Sequence, residues 1–88
     1  MTSSRIVEVT AKLLSMGVPV LPGDNWGSRS LLEISAEDHT EAPDGMPWAD
    51  YYLGHGQFGV HDQLVNVLHE YGLYAEWVNP GVLAVYNA

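Results

Sequence analysis

The reading of residues 60–86, VHDQLVNVLHEYGLYAEWVNPGVLAVY, decides the fold. Val60, Leu64, Val67, Leu68 and Tyr71 recur every three or four positions, which is one face of a helix. Gly72 follows the last of them, where a helix end takes a residue free to adopt positive φ. Residues 73–78 and 82–86 are rich in β-branched and aromatic side chains, which suit a half-buried pleated surface. Between these runs stands Asn79-Pro80-Gly81. Proline presets φ at the second position of a turn, and glycine is expected to supply a positive φ at the third. The stretch therefore predicts helix, stop, strand, turn, strand.

Working outward, the amino-terminal part carries the same punctuation. Thr2, Ser3 and Ser4 are N-cap candidates before a run in which Ile6, Val9, Leu13 and Met16 share a face, with Leu14 beside them. Gly17 closes this helix, and residues 18–21 follow as a short extended run. Pro19 cannot donate to a ladder, so that run belongs at a sheet edge or a strand end. A turn is expected over residues 22–25, residues 26–30 are ambiguous, and residues 31–35 alternate as a strand. Residues 13–18 can be laid over 68–73 with an offset of 55 at the glycines, and Pro22-Gly23 corresponds to Pro80-Gly81. The pattern repeats although few residues are identical.

The expected fold is thus α+β, a single domain over 1–88. Two αββ units, 3–35 and 60–88, form an antiparallel sheet of four to five strands with two helices packed on one face. Residues 48–53 are the candidate fifth strand. A linker, residues 36–59, joins the units, and a connection this long inside a small domain is often functional.

Composition narrows the function. Eighty-eight residues, 47% hydrophobic and 16% charged, suffice for one thin core and do not resemble a disordered chain. The small margin of stability makes a homodimer a natural expectation. There is no cysteine, which excludes disulfides, thiolate zinc sites and cysteine nucleophiles. The first residues lack the apolar centre of a signal peptide, and no run approaches the ~20 apolar residues of a membrane span. A soluble, cytoplasmic protein with no membrane partner is expected.

Charge is unevenly placed. All three basic residues, Arg5, Lys12 and Arg29, lie in the first 29 positions, while residues 30–88 hold nine acids and neither Lys nor Arg. The net charge of −8 is therefore slightly positive up to Arg29 and strongly negative beyond it. Such a chain does not bind nucleic acid or anionic lipid by counterion release. It suits a basic protein surface or a cation. Solubility in a lysine-poor or saline cytoplasm is the plainer account of the same charge.

The linker holds the candidate site. Its first half is acidic, with Glu37, Asp38, Glu41 and Asp44; its second half, WADYYLGHGQFG, mixes aromatics with glycines. Aromatics give large contact area at low entropic cost and recur at interface hot spots. Tyr51 and His55 are expected outward, and Tyr52 and Phe58 inward beneath the linker. Gly54, Gly56 and Gly59 satisfy G-x-G-x-x-G, but no strand–helix–strand unit, following acid or lysine accompanies them, so a phosphate loop is not assigned. The histidines are His39, His55, His61 and His69. His61 and His69 stand two helical turns apart, too far for one metal, and Asp38, His39, Glu41 and Asp44 match no calcium loop. No serine lies in a nucleophile elbow.

No family is recognisable from these residues. The expectation is a small acidic, non-enzymatic protein without cofactor or metal. It engages a protein partner with a basic surface through Glu37, Asp38, Glu41, Asp44, Trp48, Asp50, Tyr51 and His55. Its sharpest form is a phage-type inhibitor that imitates nucleic acid. Two alternatives stand beside it: a self-assembling subunit of a virion or complex, and a small metal-dependent or histidine-based enzyme using His55, His61 and Asp62.

Overall fold

The computed structural model describes residues 3–22, 30–37 and 40–88. The turn expected at 22–25, the ambiguous stretch at 26–30, Asp38 and His39 lie wholly or mainly outside these residues. Two helices and four strands follow in the order α1 (Ser3–Met16), β1 (Val20–Pro22), β2 (Leu32–Ser35), α2 (Asp62–Glu70), β3 (Leu73–Asn79) and β4 (Val82–Asn87). The fold is α+β, with the strands in one antiparallel sheet of order β1-β2-β4-β3. The fifth strand expected at 48–53 does not form. Ala49 makes only an isolated bridge to Val60, because the chain turns at once around Asp50 instead of continuing extended.

Period-two alternation sorts the sheet into two faces. On one, Ile34 lies opposite Leu83 and Leu32 opposite Val85, with Leu73, Ala75 and Trp77 extending the face along β3. These side chains form one apolar cluster with Leu64, Val65, Val67 and Leu68 of α2 and with Val9 and Leu13 of α1. Of the stripes read from sequence, Val9, Leu13, Leu64, Val67 and Leu68 are buried and Met16 and Tyr71 pack in part; Ile6 is half-buried, Val65 is buried outside the predicted stripe, and Leu14 is exposed. On the other face Glu33 and Glu76 flank Ala84, and Tyr74 pairs with Tyr86. Glu33 is fully buried and accepts a hydrogen bond from the Ser30 hydroxyl at 3.3 Å.

Pro19 sits where its missing donor costs least, just outside β1, its carbonyl accepting from Ser35 N–H at 2.9 Å. Gly72 adopts φ 73° after the last turn of α2. Gly81 differs from expectation: it does not take positive φ. The β3–β4 turn is closed instead by Asn79, whose side-chain oxygen accepts from Gly81 N–H at 2.8 Å. A side chain at Gly81 would run into the Glu37 carboxylate.

Candidate partner-binding surface

The linker reads as a sequence of turns that fold back over the start of α2. Asp44 and Asp50 each close one. Asp44 Oδ1 accepts from Met46 N–H at 2.9 Å, and Asp50 Oδ1 accepts from Tyr52 and Leu53 N–H at 3.0 and 3.1 Å. Gly59 N–H donates to the His55 carbonyl, and Gly59 C=O accepts from Asp50 N–H at 2.8 Å. A Cβ at Gly59 would collide with the Asp50 carbonyl, so this close approach of two backbone segments requires glycine.

His61 joins the linker to the helix. It is the N-cap of α2, and its Nδ1 accepts from Gln63 N–H at 3.0 Å. Ser, Thr, Asp and Asn are the usual caps; here an imidazole does the same work. Since Nδ1 is an acceptor, the proton of neutral His61 resides on Nε2, which donates to Asp44 Oδ2 at 2.8 Å. The Met46 amide first, and His61 second, hold the Asp44 carboxyl below its usual range. The ring of His61 also packs on Trp48, with centroids 5.3 Å apart.

Trp48 is only 1% exposed and belongs to the core, so it is not an anchor for a partner in this conformation. His55 is half-buried, its Nε2 donating to the Pro47 carbonyl at 2.7 Å. The expectation that Tyr52 and Phe58 point inward is overturned: they are 82% and 88% exposed. Trp48 fills the space beneath the linker that they were expected to fill. Phe58 stands at φ 56°, which turns its side chain out while its carbonyl accepts from Trp77 Nε1 at 2.7 Å.

Three of the expected contact residues meet. Glu37, Asp50 and Tyr51 line a hollow of about 360 Å³ together with Tyr52 and the Pro80-Gly81 turn. Tyr51 is held upright by edge-on contacts to Trp77 and Tyr52, centroids 5.4 and 5.5 Å away. Glu41 and Asp44 are exposed but do not line this hollow, Glu41 lying in a backbone bridge to Pro47. Asp38 lies outside the described residues.

The residues of the enzymatic alternative are not joined by hydrogen bonds. The rings of His55 and His61 lie edge to face with centroids 6.3 Å apart, both His61 nitrogens are already bonded, and Asp62 is exposed in the first turn of α2. Among the described residues no group of three or more His, Asp or Glu is placed to hold a metal ion, and no helix is long and apolar enough to cross a membrane. No family model, curated protein or solved structure matches the chain.

Proposed function

We propose that this protein is a cytoplasmic, non-enzymatic binding protein whose acidic, aromatic surface receives a basic part of another protein. The observation that carries the reading is the hollow where Glu37, Asp50, Tyr51 and Tyr52 come together. Carboxylates beside tyrosine rings favour a cationic side chain twice, by charge and by the ring quadrupole. Tyr52 adds exposed apolar area of the kind that anchors interfaces. The absence of Lys and Arg after Arg29 removes internal competitors for those carboxylates over most of the chain.

The scaffold supports the same reading. Element order is αββαββ, and the strand order β1-β2-β4-β3 is unchanged when the halves are exchanged. We read it as two αββ units with both helices on one face, with the linker of residues 36–59 as the part outside the repeat. Imitation of nucleic acid, as by a phage-type inhibitor, asks for a row of free carboxylates. Glu33 is buried and Asp44 and Asp50 engage the backbone of their own turns, so the local form of the reading is the stronger one.

The test is capture from source-cell lysate by wild type and by a Glu37→Gln, Tyr52→Ala double variant, at low and high salt. A specific partner should be retained by wild type at low salt and lost at high salt or with the double variant. A partner bound equally by both proteins at both salts would exclude the hollow as the binding surface.

A further inference from the structure

The two edges of the sheet are guarded differently. β1 has three residues and ends on Pro22, two of the devices by which edge strands avoid pairing with other chains. β3 occupies the opposite edge and spans seven residues; it contains neither proline nor lysine, and its pairing is regular from Leu73 to Trp77, with a register shift only between Trp77 and Asn79. Among the described residues no strand pairs with its outer side.

A groove of about 230 Å³ runs beside that edge, between α2 and β3, walled by Phe58, Val65, Leu68, Tyr74 and Trp77. The volume falls below the roughly 300–1,000 Å³ of small-molecule pockets and suits a single apolar side chain. Phe58 forms the outer wall from its left-handed backbone position, fixed by the Trp77 hydrogen bond.

We propose that the outer edge of β3 docks an extended basic segment of a partner protein, which joins the sheet as an additional strand. This rests on the binding function proposed above and adds the mode and the pattern recognised. Side chains of an added strand alternate between faces. On the core face they stand beside Ala75 and Trp77, and one of them enters the groove. Those on the other face stand beside Glu76, which is exposed. The segment therefore alternates apolar with basic residues.

A second copy of this chain fits the edge poorly. Glu76 is the middle residue of β3, so two-fold antiparallel pairing of β3 with itself over its full length sets Glu76 against Glu76. Like charges directly opposite are destabilising, and each chain already carries −8. The same residue that opposes self-pairing favours a Lys or Arg on a partner strand.

The test is an NMR titration of the ¹⁵N-labelled full chain with a short peptide of alternating valine and lysine. Shifts should concentrate in residues 73–79 and the groove walls. N-methylating alternate peptide residues, which removes the ladder donors, should weaken binding about ten-fold or more. Glu76→Lys should weaken it up to about five-fold and recover it for a valine–glutamate peptide. Phe58→Ser, at an 88% exposed position, should weaken it several-fold, with shift changes in the free protein confined to the neighbours of residue 58. Shifts gathered instead around Glu37 and Tyr52, insensitive to N-methylation, would overturn the β3 site while leaving the basic-partner function standing. No shift anywhere with any lysine peptide would overturn both.

Discussion

Replacing His61 by alanine should destabilise the domain by roughly 2 kcal/mol. Loss of the N-cap acceptor for Gln63 N–H contributes about 1 kcal/mol, the central value for cap deletions. The imidazole is 11% exposed and lies on Trp48, so removing it also takes packing from a buried aromatic, a further ~1 kcal/mol. The hydrogen bond to Asp44 is given no share, because that carboxylate is solvent-screened. For a domain of this size the sum corresponds to a Tm lower by roughly 8–16 °C. Urea unfolding at neutral pH, followed by tryptophan fluorescence, measures it directly. His61→Asn keeps an acceptor at the cap position and should recover about half of the loss. A loss below about 0.5 kcal/mol for His61→Ala would refute the argument, and an asparagine variant no better than alanine would show that the cap is not its source.

Other outcomes follow from the same geometry. Asp44 has a folded pKa below its ordinary value of 3.8, so the unfolded chain takes up its proton first as pH falls. The stability it contributes is complete above that value and is lost as pH drops through the depressed folded pKa; the gap between wild type and Asp44→Asn should therefore close in acid titrations below about pH 4. Phe58→Gly should leave stability unchanged or raise it by up to about 1 kcal/mol in thermal unfolding, because an L side chain at φ 56° is strained and this one is almost wholly exposed. Gly59→Ala should lose more than about 1 kcal/mol by urea unfolding, since its Cβ meets the Asp50 carbonyl and its φ of 88° disfavours any side chain. Leu83→Ala, at a fully buried position opposite Ile34 and Trp77, should cost about 2–5 kcal/mol and leave the domain marginal.

The contrast between Phe58 and Leu83 shows where stability and recognition separate. Leu83 is placed by the sheet, and its loss is felt by several packed neighbours. Phe58 is almost wholly exposed and is held outward by its own backbone. A residue that is strained, exposed and aromatic contributes little to folding, which is the pattern expected where a protein contacts something else.

The sequence alone determined the elements. Apolar spacing in residues 60–71 and 6–16 located the two helices and most of their buried side chains, and β-branched runs located the strands that form, though not the absence of one at 48–53, because side-chain periodicity is local geometry. It also determined the charge asymmetry on which the proposal of a basic partner rests. Tertiary structure decided what the linker does. Trp48 and Phe58 are both aromatic linker residues, yet one is core and the other surface; backbone dihedrals set by Gly59 and by the turn at Asp50 make that choice, and no composition or period encodes them. His61 as a cap escaped the sequence reading because imidazole is a rare capping group whose role depends on Asp44 arriving from 17 residues away. The meeting of Glu37 with Asp50, Tyr51 and Tyr52 likewise depends on strand order: β2 pairs with β4, which brings the end of β2 beside the β3–β4 turn. Local patterns are written in neighbouring residues, whereas which surfaces meet follows from how the elements pair, and that is settled only when the whole sheet closes over its core.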